Sequence, residues 1–224
     1  GSYQESQKRS ITEAINIEIK PNSINQNEVE HQLKVLIAGC GTGNQILQSQ
    51  RYKNAQITAI DLSLSSLAYA QRKINELGVN NVELIQMDIL EINLLEERFD
   101  IIESSGVLHH MDNPLKGLKA LLNVAKNKSY LKLALYSEIA NQDVIRACQY
   151  INENKMNPST ENIRKFREQS FNGEIPPIAD AINRGDFYTS SNCRDLYFHH
   201  KAHRYNIKQL SKIFEENKLS FLGF

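Results

Sequence analysis

The amino-acid sequence predicts an α/β fold: a doubly wound parallel sheet with helices on both faces and a C-terminal helical insertion. Three observations carry this reading. Short apolar runs recur at 33–38, 56–61, 82–88, 99–104 and 130–136, the pattern of strands buried on both faces. Helical segments alternate with these runs, as right-handed crossovers between parallel strands require. The first run stops at Gly39-Cys40-Gly41-Thr42-Gly43, a glycine turn at the carboxyl end of a strand, where open α/β sheets bind their ligands.

Length and composition bound the rest. The 224 residues suit one domain with a modest appendage. Hydrophobic residues at 41% and charged residues at 23% exclude a disordered tail or a coiled coil. Lys+Arg 26 against Asp+Glu 26 leaves no net field, so no nucleic-acid partner is expected. No apolar run approaches the roughly 18–20 residues needed to span a bilayer, and no secretory signal opens the chain, so no membrane association is expected. Cys40, Cys148 and Cys193 are odd in number and widely spaced, which argues against a disulfide framework and for a reducing, cytoplasmic setting. Gly1 and Ser2, without an initiator Met, read as a remnant of expression processing, and the abrupt ending at Phe224 suggests a piece of a longer chain.

Taken in order, residues 1–33 form a polar N-terminal arm, peripheral, whose apolar positions from Ile11 to Ile19 make a helix or an extended strap. Residues 34–137 form the core. A strand ends at Ala38, a helix follows over 44–49, and a second strand over 56–61 ends on the carboxylate of Asp61. Ser63 has the side chain of an N-cap for a helix through Leu67, Ala70, Ile74 and Leu77, and Gly78 stands where a left-handed cap residue is wanted. Strands over 82–88 and 99–104 come next. Asn113-Pro114 starts a helix with Pro in its favoured first turn, directing Leu115, Leu118, Leu121, Leu122 and Val124 toward the sheet, before a fifth strand over 130–136. Residues 138–224 are expected to form three or four helices, near 138–154, 159–171, 176–184 and 206–218. Ser220–Phe224 then reads as a last strand of the core sheet. Such an insertion would sit over the carboxyl ends of the strands as a substrate lid.

The loop spacing narrows the ligand. A dinucleotide fingerprint, G-x-G-x-x-G, would place its last glycine at position 44, which is Asn44, so NAD is disfavoured. A phosphate loop would need Gly-Lys-Ser/Thr, which is missing. Asp61 lies 20 residues beyond Gly41 at a strand end, where a carboxylate can accept both hydroxyls of a ribose. Loop and carboxylate together indicate a nucleoside.

Four motifs in order, Val35-Leu36-Ile37-Ala38-Gly39-Cys40-Gly41-Thr42-Gly43, Ala59-Ile60-Asp61-Leu62-Ser63, Gln86-Met87-Asp88 and Gly106-Val107-Leu108-His109-His110-Met111, resemble those of class I S-adenosylmethionine-dependent methyltransferases. The stretches Asp186-Phe187-Tyr188, Cys193 to His199, His203-Arg204-Tyr205 and Phe221 to Phe224 are more loosely similar to bacterial methyltransferases fused to tetratricopeptide repeats. The resemblance implies a Rossmann-like core and S-adenosyl-L-methionine as cofactor. It implies that Gly39, Gly41 and Gly43, with Cys40 among them, pack under the methionine part, and that Asp61, with Leu62 beside it, binds the ribose. Asp88 with the Met87 main chain would hold the adenine amino group next to Ile89. Glu103 and Ser104 would lie beside the methionyl amine and the transferring methyl. Many relatives carry an acidic residue at the end of the glycine-loop strand, where this chain has Ala38, so Glu103 or a backbone carbonyl is expected to take its place.

The other candidates each have a plainer alternative. His109 or His110 could be a general base, or could pack and orient the loop. His199 and His203 have helical metal-ligand spacing, but no H-E-x-x-H pattern or third ligand accompanies them, so no metal is expected. They form a polar network with Asp195 and Arg204, or one of them, His203 among them, reaches the acceptor as a catalytic group. Tyr136 and Tyr188 line an acceptor pocket or belong to a core, and Cys40 is a small buried hydrophobe. The expected function is methyl transfer from S-adenosylmethionine to an unidentified acceptor, a small molecule or a protein side chain. The alternatives are an NAD-dependent oxidoreductase and a non-catalytic binding module.

Overall fold

A computed structural model of the chain describes residues 7–25, 31–175, 182, 185–198 and 202–224, without side-chain detail at 186, 191, 192 and 195. Five parallel strands, β1 (Leu33–Ala38), β2 (Ala55–Asp61), β3 (Val82–Gln86), β4 (Phe99–Ser105) and β5 (Ala125–Ala134), form one sheet in the order β3-β2-β1-β4-β5. The chain winds outward from β1 to β3, then crosses back to β4 on the other side of β1. That reversal opens a crevice at the carboxyl ends of β1 and β4, the switch point at which such sheets bind ligands. In register, Ile37 lies opposite both Ala59 of β2 and Glu103 of β4.

Alternation along β1 sends its side chains into two cores. Val35 and Ile37 join Ile57, Ala59 and Ile101 on one face, while Leu36 and Ala38 join Ile60, Ile102, Leu118 and Leu121 on the other. Helix α2 (Asn44–Ser49) begins at Gly43, held left-handed at φ +95°. Helix α3 (Leu64–Glu76) is capped by the Ser63 hydroxyl, which accepts from the Ser66 N–H, and Gly78 follows at φ +67°. Helix α4 (Pro114–Asn123) starts under the Asn113 cap with Pro in its first turn. These starts and stops are those the sequence predicts. Between β3 and β4 lies an unpredicted 3₁₀ helix, Ile89–Leu95, capped by Asp88, whose carboxylate accepts from the Leu90 N–H.

The N-terminal arm differs from its expected peripheral place. Helix α1 (Ile11–Glu18) opens on a reciprocal Ser10/Glu13 capping box and buries Ile11, Ala14 and Ile15 in the same core as β1 and β2. The predicted final strand is also corrected. Ser220–Phe224 has no strand pairing; Leu222 packs against the α1 core, and its carbonyl accepts from the Asn22 amide at 2.8 Å. The half-buried Leu222 and one amide bond seat this segment without a sheet ladder.

The chain divides into two compact units, residues 1–135 with 212–224, and residues 136–211. The second unit holds β6 (Tyr136–Ser137) paired in parallel with β7 (Arg204–Tyr205), and helices α5 (Gln142–Glu153), α6 (Thr160–Phe171) and α7 (Ser190–Tyr197). Its own core gathers Val144, Ala147 and Ile151 of α5 with Ile163 and Phe166 of α6 and Cys193 and Tyr197 of α7. Phe166 stands 5.5 Å from Tyr197 and 5.7 Å, edge-on, from Phe198. Helix α7 lies where no helix is predicted, and the helix predicted over 176–184 falls almost wholly outside the described residues. Helix α8 (Ile207–Glu216) closes the element order. Among the described residues no helix is long and apolar enough to cross a membrane.

Candidate functional site

The loop after β1 holds three glycines at positive φ, and each has a different reason. At Gly39, φ +82°, a Cβ would stand 2.2 Å from the Val107 side chain, so the residue must be glycine for the loops after β1 and β4 to meet. At Gly43 a Cβ would press on Ala70 of α3 at 3.1 Å. Gly41, at φ +51°, faces open space, with nothing within 4 Å of its would-be Cβ. The outer two glycines thus serve packing, and the middle one leaves a bare backbone at the crevice. Cys40 is 4% exposed, and burial together with the Asp61 charge pushes its thiol up to about 12, so it stays protonated as a small core group.

Asp61 ties two loops together. One carboxylate oxygen accepts from the Gly41 N–H and the other from the Ser63 N–H, both at 2.8 Å. The side chain is half-buried, and a carboxylate with about four lone-pair sites retains acceptor capacity after two such bonds. Leu62 beside it is 65% exposed, a bare apolar surface at the same rim. Met87 and Asp88 are half-buried at the end of β3, where the Met87 N–H donates to the Asp61 carbonyl at 3.1 Å, while Ile89 is buried in the second core. The rim from Gly39 to Ile89 is therefore brought together by three consecutive strand ends.

Glu103 differs from its expected role. It is 2% exposed, and its carboxylate accepts from the Arg51 guanidinium at 2.7 Å, the Tyr52 hydroxyl at 2.7 Å and the Ser49 hydroxyl at 3.3 Å. Burial and the Glu103 charge raise the Tyr52 phenol above its ordinary value, which keeps it a donor. Arg51 also reaches Glu18 of α1 at 2.8 Å, and Glu18 takes Lys132 of β5 at 2.8 Å. The carboxylate expected beside the cofactor amine is thus held inside a structural network, because alternation on β4 turns it toward α2 and α1. Ser104, 1% exposed, donates its hydroxyl to the Ala38 carbonyl at 3.1 Å and joins β4 to β1 at the switch point.

His109 and His110 lie in a single 3₁₀ turn, Leu108–His110, just past β4, with ring centroids 4.3 Å apart. His109 is 1% exposed, whereas His110 is exposed. Of the remaining candidates, all in the second unit, Tyr136 is half-buried on β6 and packs against that unit's core. Tyr188 is 58% exposed, with its carbonyl accepting from Arg167. His203 is exposed in the extended link before β7, so it does not share a helix face with a neighbour four residues back. His199 lies outside the described residues. Among the described residues no three His, Cys, Asp or Glu side chains are grouped so as to hold a metal ion. Sequence reading missed Gln45, in the first turn of α2, whose amide N–H donates to the Ser105 carbonyl at 3.0 Å and bridges the glycine loop to the end of β4. Its signal was its place two residues past Gly43.

Residues 30–217 match the family described as a methyltransferase domain. The chain belongs to that family. With its sheet order and four motif loops it is a class I S-adenosylmethionine-dependent methyltransferase domain, which sets aside the nicotinamide oxidoreductase alternative. An uncharacterized protein of Synechococcus sp. is 29% identical over 202 residues, 85% of this chain and 48% of that protein. The malonyl-[acyl-carrier protein] O-methyltransferase of Priestia megaterium is 30% identical over 122 residues, 54% of this chain and 42% of that enzyme. PKMT2 of Rickettsia typhi shares the fold with a TM-score of 0.74 over 93% of this chain and 42% of that one, at 19% identity. The chain thus spans about half the length, or less, of these relatives.

Proposed function

We propose that the crevice at the ends of β1, β2 and β4 binds S-adenosylmethionine and that the protein transfers its methyl group to an acceptor of a class still to be identified, a small molecule or a protein side chain. The observation that carries this is the pairing of a bare backbone at Gly41 with an Asp61 carboxylate that is anchored to it and keeps acceptor capacity. Gly39, Cys40, Gly41 and Gly43 would underlie the methionine part. Asp61 and Leu62 would meet the ribose, and Met87, Asp88 and Ile89 the adenine. Ser104 would fix the strand ends beneath the sulfonium. The fold of PKMT2 from Rickettsia typhi, solved in complex with AdoHcy, supports the choice of nucleoside.

When bound, the cofactor supplies an electrophilic methyl on a sulfonium. The protein's own contribution is alignment of that methyl with the acceptor and exclusion of water. Where the acceptor must lose a proton, we assign His110 as the base, since it is the exposed histidine of the pair. We assign the protein to the cytoplasm, with no nucleic-acid or membrane partner, on its neutral charge and free cysteines. The test is thermal stability with S-adenosylmethionine, S-adenosylhomocysteine and NAD, because a ligand at 100 times its dissociation constant adds about 2.7 kcal/mol. A rise with the two sulfur nucleosides alone is expected; a rise with NAD alone, or none, overturns the reading. His110→Ala should lower turnover without changing cofactor affinity.

A further inference from the structure

With Glu103 enclosed by Arg51, Tyr52 and Ser49, the positive end of the proposed cofactor, its methionyl ammonium, needs another acceptor. We infer that the side-chain oxygen of Gln45 receives it. Gln45 and Ser49 stand one helical turn apart on the face of α2 turned to β4: Ser49 meets Glu103, and Gln45 meets Ser105, two residues further along the strand. Gln45 is therefore the last side chain of this column, at the rim, beside the glycine loop and the exit of β4.

Its assignment follows from its hydrogen bond. The Ser105 carbonyl can only accept, so the amide nitrogen of Gln45 must face it, and the amide oxygen, on the other arm of the same planar carbon, is left for a separate partner. That oxygen is buried and has no hydrogen-bond partner among the described residues. A buried acceptor left unmatched is costly, so such an atom in a built site is a place for a donor. The neighbouring Ser104 and Gly41 groups do not compete for it: the Ser104 hydroxyl donates to Ala38, and the Gly41 N–H donates to Asp61. An ammonium, with three donors and no acceptor, is the chemistry that fits an amide oxygen fixed from behind. Gln45 thereby takes the part that Ala38 does not play.

The inference rests on the cofactor reading, and its test separates the two. Wild type and Gln45→Leu are titrated with S-adenosylhomocysteine and with 5′-methylthioadenosine, which shares the nucleoside and thioether but lacks the amino-acid tail. The expected result is roughly ten- to hundredfold weaker binding of S-adenosylhomocysteine by Gln45→Leu, the range for a hydrogen bond to a charged group, with methylthioadenosine binding unchanged. Unchanged methylthioadenosine binding also reports that the variant is folded. Equal losses for both ligands, or no loss for either, would overturn the role of Gln45. Failure of the wild-type protein to bind either nucleoside would instead overturn the cofactor reading itself.

Discussion

Asp61, the last residue of β2, and Glu103, two residues before the end of β4, lie in the two strands that flank β1, yet the two carboxylates live in different chemistry. Asp61 is held by two backbone N–H groups and stays half-buried at the rim. Glu103 is enclosed by a guanidinium, a phenol and a hydroxyl. Backbone donors fix a carboxylate from behind and leave its outer lone pairs available, whereas a shell of side chains consumes them. Position near a strand end thus does not make an acidic residue a ligand group; the identity of its donors decides.

The sharpest way to break this contrast is to remove each acid in turn. Glu103→Leu leaves Arg51 buried with one acidic partner fewer, and taking one member from a buried pair costs about 3–5 kcal/mol. Urea unfolding should register that loss, and Glu103→Leu combined with Arg51→Met should recover part of it. If Asp61→Ala proved the more destabilising, the two assignments would be reversed.

Next in size is binding. Asp61→Ala should weaken S-adenosylhomocysteine about a hundredfold, roughly 2.7 kcal/mol by calorimetry, because a charged acceptor for the ribose is gone. Glu103→Gln should leave affinity within about threefold, since that side chain faces the core.

The glycine loop sharpens the contrast further. Gly39→Ala drives a methyl into Val107 and should cost about 1–3 kcal/mol of stability, whereas Gly41→Ala meets open space and should cost about 1 kcal/mol from its backbone conformation alone. Gly41→Val should instead act on nucleoside binding. Equal stability losses at the two positions would remove the distinction between packing glycine and ligand-facing glycine.

The smallest effect, with no pH dependence near neutrality, concerns Cys40. Its folded-state value near 12 lies above the ordinary thiol value of 9.0, so its contribution is fully present below pH 9 and fades as pH rises toward 12. Cys148 and Cys193 are raised as well, by burial first, and act in the same direction. Thermal midpoints across pH 8–11 should therefore fall less steeply for Cys40→Ala than for the parent.

Much of this was legible in the sequence where local signals suffice. The strands announced themselves as apolar runs, and Ser63, Gly78, Asn113 and Pro114 marked helix ends by their own chemistry. Asp61 was legible because its loop partners lie nearby in a motif. Glu103 was not, because Arg51, Tyr52 and Ser49 are about fifty residues away and nothing local reveals them. The early start of β5 was hidden by Lys126, Asn127 and Lys128, the last at φ +61°, which interrupt any apolar run. The 3₁₀ helix over Ile89–Leu95 is too short for a period to show, and α7 opens on Ser-Ser-Asn, which reads as a loop. Ser220–Phe224 is apolar enough to read as a strand, but it makes no ladder, and only Leu222 packs against the α1 core.

That contact belongs to a feature with practical weight. The matched family block begins at residue 30, but α1 lies before it, with Ile11, Ala14 and Ile15 in the sheet's core and Glu18 joined to both Arg51 and Lys132. A gene trimmed to the recognisable block would yield a polypeptide with an uncovered oily flank and a buried arginine lacking half its counter-charge. The packed unit here is therefore longer than the matched family block, and expression boundaries should follow burial.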